Sequence, residues 1–320
     1  MHRRQLLAAA AALPVTAWAQ PGWPSRPIRL IVPFPPGGPN DLVARLYAQP
    51  LSAMLGQPVV IENRPGAGGV LGVDAVAKAP PDGHTLVLTS SGALVIIPHV
   101  TATMPYRVPQ DLTPVSIVTL VPEALVAAPG LGVTDLAGLL ALARRPGTRL
   151  AIGTAGAAGI SHLAAEMLRL QTGMELTVVP YRGGAPAVTD LLGGQIQLLF
   201  ADLPVVLAHL RSGALHALAL ASTARSPLLP DLPTTSEAGL PEILADNWYS
   251  LLGPAGLPGA IVERLSAALK AASEMPAVRD GLREQGAAAH WTSPDAFAAT
   301  IVTESARWRR TAEAAGIRID

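Results

Sequence analysis

Three stretches of this sequence combine small residues with hydrogen-bonding groups at spacings that suit the capture of an anion. Residues 150–170 read LAIGTAGAAGISHLAAEMLRL, with glycines at 153, 156 and 159 between an apolar run (Leu150 to Thr154) and a helical pattern from about Ser161 to Gln171. A strand that enters a helix through small residues leaves backbone N–H groups unpaired in the turn, with the positive end of the helix dipole behind them. Such a turn seats a carboxylate. The same grammar occurs at residues 28–41, where IRLIV runs into PFPPGGPND and a helix starts near Asn40, and TSSG at residues 89–92 closes a further strand with hydroxyls. Two seats far apart in the chain imply two lobes that close on one small acidic ligand.

The candidate contacts follow from those stretches. Phe34, Pro35, Pro36, Gly37 and Gly38 form the first turn, with Asp41 in the helix behind it, and Ser90, Ser91 and Gly92 supply hydroxyls and space. Thr154, Ala155, Gly156 and Gly159 form the second turn, and His162 opens its helix, where a histidine is more often packed and satisfied than a ligand contact. Tyr181 and Gly183 follow the next strand, and Asp202 ends LLFAD at the strand edge on which such sheets bind ligands, or else orients backbone N–H groups there. Trp248 either walls the cleft or packs a hinge. Enzyme chemistry fits less well: residues 153–159 read G-x-x-G-x-x-G rather than a dinucleotide fingerprint, and no G-x-S-x-G nucleophile elbow occurs. An exported hydrolase-like α/β enzyme for a carboxylated compound is the alternative. No cofactor and no metal are expected.

Positioning these turns requires alternating strands and helices, the pattern of an α/β protein. Strands are expected at Ile28 to Val32, Val59 to Glu62, Thr85 to Thr89, Ser116 to Leu120, Leu176 to Val179, Ile196 to Phe200, Ala217 to Ala221 and Trp248 to Leu252. Helices are expected after each turn, one capped by Thr134, one kinked or split at Pro50, and two at the C-terminus opened by Pro258 and Pro294. The stretch SPLLPDLPTTSEAGLPE marks a surface loop near a crossing between lobes.

Composition narrows the classes. Half of the 320 residues are hydrophobic, enough for a large core and about two domains. Basic and acidic residues balance at 23 each and aromatics are 4%, so neither charge nor stacking surface points to a nucleic acid. There is no cysteine, which excludes disulfides, thiolate metal sites and a cysteine nucleophile. Residues 1–19 read as a signal peptide: His2, Arg3 and Arg4, an apolar run from Leu6 to Val15, and Ala17-Trp18-Ala19 before Gln20. Cleavage there leaves 21 basic against 23 acidic residues, a net charge of −2, and a soluble periplasmic protein.

Seven blocks together carry a family resemblance: PFPPGGPND (33–41), ENRPGAGG (62–69), PDGHTL (81–86), SHLAAEML (161–168), PYRGGAPAVTDLLGGQIQLLF (180–200), LPDLPTTSEAGLP (229–241) and GPAGLP (253–258). In this order they resemble the Bug family, the periplasmic solute-binding proteins of tripartite tricarboxylate transporters. The resemblance implies a two-lobed, hinged binding protein of the Venus-flytrap, type II-like fold, each lobe a mainly parallel sheet flanked by helices. Lobe 1 would comprise residues 20–122 with 247–320, and lobe 2 residues 123–246, hinged near residues 120 and 246. It further implies a monomer that captures a small carboxylate or amide and delivers it to membrane transporter subunits. Many relatives have glycine and serine where this chain has Ala158 and Gly159, and asparagine where it has Ile97. A hydroxyl donor is thereby lost, so dicarboxylates are expected to bind poorly.

Overall fold

The computed structural model describes residues 22–318, and the expected signal peptide lies outside the described residues. The central apolar runs, such as Thr85–Ser90 and Asn247–Pro254, become strands buried on both faces, as strands covered by helices must be. The chain begins with β1 (Ile28–Val32), α1 (Pro39–Leu55), β2 (Val59–Asn63), α2 (Val70–Ala77), β3 (Thr85–Ser90) and the single turns α3 (Gly92–Val95) and α4 (Ile97–Val100). β4 (Leu112–Val121) and β5 (Glu123–Ala127) follow, separated only by Pro122. Then come α5 (Leu136–Ala143), β6 (Leu150–Thr154), α6 (Ile160–Thr172), β7 (Leu176–Pro180), α7 (Gly184–Leu192), β8 (Leu198–Asp202), α8 (Leu203–Arg211) and β9 (His216–Leu220). The chain ends with β10 (Asn247–Pro254), α9 (Gly259–Glu274), α10 (Pro276–Glu284), β11 (Ala288–Ala289) and α11 (Pro294–Ala315).

The strands form two sheets, one ordered β11-β4-β10-β3-β1-β2 and the other β7-β6-β8-β5-β9. Both are mixed, but four of the six strands in the first and four of the five in the second run the same way, in keeping with the expected mainly parallel sheets. β1 is parallel to β2 and β3, whereas β10 is antiparallel to β3 and β4; β6 is parallel to β7 and β8, whereas β5 is antiparallel to β8 and β9. The reason is directional. β5 and β10 enter their sheets from the side on which the chain crosses over, so each runs against the strands that end there.

Local chemistry explains the other differences. Helix α1 runs unbroken through Pro50, and Gly56 ends it in the left-handed conformation. Asp135, not Thr134, caps α5, its carboxylate accepting from Gly138 N–H. β5 lies in PEALVAAPG, outside the expected strands, and α10 lies outside the expected helices. Leu163 and Met167 of α6 are buried as the helical spacing suggests, whereas Leu170 at the same spacing is exposed.

Helices cover both faces of each sheet, and one apolar core continues between the sheets along α11. Phe297, Ile301 and Trp308 of that helix are buried in a cluster with Ile117 of β4, Leu94 of α3 and Leu163 and Leu168 of α6. Trp308 Nε1 donates to Glu304 Oε2 at 2.9 Å, and the Arg307 guanidinium lies over its ring. A fully buried tryptophan at the junction of two units is expected to cost about 3–5 kcal/mol when truncated. Urea unfolding of Trp308→Ala should show that loss; a loss below about 1 kcal/mol would show that α11 does not hold the units together.

Candidate functional site

Between the two sheets lies a cavity of about 810 Å³. Its first wall is the turn after β1: Phe34, Pro35, Pro36, Gly37 and Gly38 all line it, with Asn40 and Leu42 from α1. Ser90 and Gly92 from the end of β3 line it too, and Ile97 adds an apolar side chain. The opposite wall is the turn after β6, through Ala155, Gly156 and Gly159 with Ile160 and Ser161 of α6, and the turn before α7, through Gly183 with Arg182. The two walls nearly touch at one point, where a Cβ placed on Gly92 would lie 3.9 Å from Gly159 Cα. At the floor, where the chain crosses between sheets, are Glu123, Asp202 and Asn247.

Each wall is braced by its own helix. The Asp41 carboxylate accepts from Gly37 N–H at 2.9 Å, from Asn63 Nδ2 and from Nε and Nη2 of Arg45. Burial raises the Asp41 carboxyl, but those hydrogen bonds outweigh it and hold the group below the usual carboxylate range. Gly37 adopts φ +78°, which a side chain would strain. Asp41 therefore shapes the first turn from behind and occupies one of the N–H groups expected to face a ligand.

In the second turn, Ala155 N–H donates to Ser161 Oγ at 3.0 Å and Ala158 N–H to His162 Nδ1 at 2.9 Å. Burial lowers the His162 pKa and the nearby Glu166 partly restores it, so the ring is neutral at pH 7 and acts as a brace. The N–H groups of Gly156, Ala157, Gly159 and Ile160 have no hydrogen-bond partner among the described residues. These lie at the N-terminus of the thirteen-residue helix α6, whose Gly159 cap supplies no side-chain acceptor. The wall is a set of free donors with a helix dipole behind them. Ser161 adds to it, because its oxygen accepts from Ala155 and its own proton is left for the cavity.

Six expected residues do not line the cavity. Besides Asp41 and His162, Thr154 is fully buried, its hydroxyl turned to Gly156 O. Ser91 is buried and donates to Asn247 Oδ1 at 2.8 Å. The Tyr181 hydroxyl donates to Asp190 at 2.7 Å; desolvation and that carboxylate push it up to about 12. Trp248 packs edge-on against Phe297 in the core. Ala158 likewise faces away, packing with Val100 and Ala312 at φ +52°, so of the two departures from the family pattern in this turn only Gly159 changes the cavity.

Sequence reasoning missed Asn40, Glu123, Ser161, Arg182, His209 and Asn247. Glu123 left a signal, as the one charge in the apolar run PEALVAA. Asp202, its partner in register across β5 and β8, accepts from Asn247 Nδ2 at 2.9 Å and from the Tyr249 hydroxyl at 2.6 Å. Burial and the Asp202 charge raise Glu123 well above the usual range; burial raises Asp202 as well, and the Tyr249 and Asn247 hydrogen bonds pull it back. Among the described residues no group of His, Cys, Asp and Glu side chains could hold a metal ion, and no helix is long and apolar enough to cross a membrane.

A family model described as tripartite tricarboxylate transporter family receptor matches residues 43–317. The chain belongs to that family. This receptor is 41% identical to protein BugT of Bordetella pertussis over 299 residues, 93% of this chain and 91% of that one. An R. palustris protein solved with adipate superposes at a TM-score of 0.86 and 36% identity, covering 92% of this chain and 99% of that chain. The periplasmic binding protein BugD gives 0.83 at 32% identity, with the same coverage. MatC from Rhodopseudomonas palustris with bound malate gives 0.82 at 34%, covering 90% and 99%. The receptor therefore has the two-lobed α/β binding-protein fold, as the seven sequence blocks implied.

Gly156 is not in a left-handed conformation, and no atom lies within 4 Å of a Cβ built there. Gly156→Val should fold with a near-unchanged melting temperature yet lose at least about tenfold in acid affinity, because its side chain crowds the free N–H groups. Calorimetry and melting on one sample decide it; unchanged affinity in a folded variant removes this turn from the site.

Proposed function

We propose that this chain is an extracytoplasmic receptor that captures one small organic acid between its two lobes and presents it to membrane transporter subunits. The observation that carries the reading is the free N–H set at Gly156, Ala157, Gly159 and Ile160, which faces the Pro35 to Gly38 turn across the cavity. The ligand carboxylate sits on that set, with Ser90 and Ser161 as hydroxyl partners. Charge-assisted hydrogen bonds contribute about 1.5–3 kcal/mol each and micromolar binding needs about 8 kcal/mol, so several such donors with desolvation suffice. The lobes, residues 20–122 with 247–320 and residues 123–246, close about Pro122 and Asn247, and the receptor acts as a monomer.

A receptor role is favoured over hydrolysis by how the cleft's side chains are engaged. Ser161 Oγ accepts from Ala155 N–H and His162 Nδ1 from Ala158 N–H, so the two do not form a nucleophile and base. The adipate and malate of the related structures support an organic acid as the ligand class. Gly159 and Ile97, with Phe34, Leu42 and Val205, leave the cavity poorer in donors and richer in apolar surface, which favours a ligand with one carboxylate and an aliphatic or aromatic remainder.

A serine at 159 tests this directly, since a Cβ there meets only Gly156 O at 3.9 Å and the backbone is extended. Its hydroxyl restores a donor worth roughly 1 kcal/mol in a neutral pairing and up to about 3 to a carboxylate, or about five- to a hundredfold. Titration of succinate, malate and butyrate should show weak dicarboxylate binding by the native chain and a gain in Gly159→Ser. Submicromolar malate or succinate binding by the native chain, or no gain from the serine, contradicts the reading.

A further inference from the structure

A second cavity, of about 380 Å³, lies against the two segments on which the chain crosses between the sheets. Pro122 and Asp246 line it, whereas the next residue on each segment, Glu123 and Asn247, lines the ligand cleft. Successive side chains of an extended chain point to opposite sides, so the two cavities lie back to back across both crossings. One wall belongs to lobe 1: Leu120 of β4, Arg279 and Arg283 of α10, and Ala288 and Ala289 of β11, which pairs with β4. The other is the loop after β9 in lobe 2, residues 222–228, tied to the crossing by Thr223, whose N–H and hydroxyl both donate to Asp246 Oδ2. The walls are not bonded to each other. Arg283 pairs with Asp280 on its own helix and Arg225 with Glu237 within lobe 2, and among the described residues no hydrogen bond or ion pair crosses the cavity.

We infer that this rear cavity sets the receptor's balance between open and closed forms, because it is the space the lobes need behind the hinge in order to open in front. The inference rests on the closure proposed above and deepens it. Rotation about an axis through both crossings moves the walls on its two sides in opposite senses. Opening the cleft therefore narrows the rear cavity, and closing the cleft widens it. Bulk placed in the rear cavity resists opening without touching the acid. Affinity then rises, since the apparent Kd is the intrinsic value divided by the fraction of the chain already in the binding form. With no bond across the cavity, the balance shifts without one being broken.

The chain has no cysteine, so a thiol introduced at the rear cavity is unique and can be loaded after folding. Ala288→Cys and Ala224→Cys place it on the lobe 1 and lobe 2 walls, at alanines that are both exposed, and Val302→Cys on an exposed position of α11 is the control. Methyl or benzyl methanethiosulfonate forms a mixed disulfide with each thiol, releasing methanesulfinate, and dithiothreitol removes the adduct. Small-angle scattering without ligand and calorimetry with butyrate, malate and adipate are compared before and after loading. At each wall the benzyl adduct should shrink the ligand-free radius of gyration and tighten the best-bound acid by at least about threefold. The methyl adduct should do less, and reduction should restore the starting values. No change at either wall, a change in the opposite sense, or an equal effect at position 302 overturns the inference. Binding of an acid without these shifts leaves the receptor reading standing; if none of the acids binds, that reading fails and the ligand-free radius alone decides the inference.

Discussion

The carboxylate of Asp202 is the point on which the two halves of the molecule depend. It ends β8 in one sheet and accepts hydrogen bonds from Asn247 and Tyr249, both on β10 of the other, while Ser91 after β3 donates to the same asparagine. A single charged group thus ties together the strand ends at which the chain crosses between sheets. Breaking such a buried network from one side leaves an uncompensated charge, which is costly. The polar floor of the cleft and the mechanical junction of the lobes are therefore one structure, with α11 packed behind it as the apolar counterpart.

The walls obey a second constraint, that every turn spends some of its own N–H groups on its own side chains. Asp41 takes Gly37, Ser161 takes Ala155 and His162 takes Ala158. What remains free is decided by these braces rather than by glycine content. The first turn, richer in proline, offers shape and apolar surface; the second, at the head of α6, offers donors. On the receptor reading proposed above, an acid meets backbone dipoles that are fixed before it arrives, so little ordering entropy is lost on binding.

Much of this was legible in the residues. The strand-turn-helix units around Gly37 and Gly156 follow from hydrophobic period and turn chemistry, and the walls they form were found from the sequence. The floor was not. Glu123 and Asn247 come to Asp202 from strands whose partners are 45 or more residues away, and nothing local in the chain records that pairing. His162 and Trp248 misled for the opposite reason: their types suit a ligand, but the first is turned inward by Ala158 N–H and the second by packing on Phe297. The direction of β5 and β10 was hidden because period and composition do not distinguish a strand that enters at the cleft from one that ends there. Pro50 stands inside an unbroken α1 against the rule for proline, and nothing in the structure explains why the helix is not interrupted.

Closure of the two lobes on an acid is the central claim, and it is tested most directly by small-angle scattering of the purified mature chain, alone and saturated with the acid that binds it tightest by calorimetry. Closure about Pro122 and Asn247 gives a smaller radius of gyration in the complex. An unchanged radius with the acid demonstrably bound would contradict it.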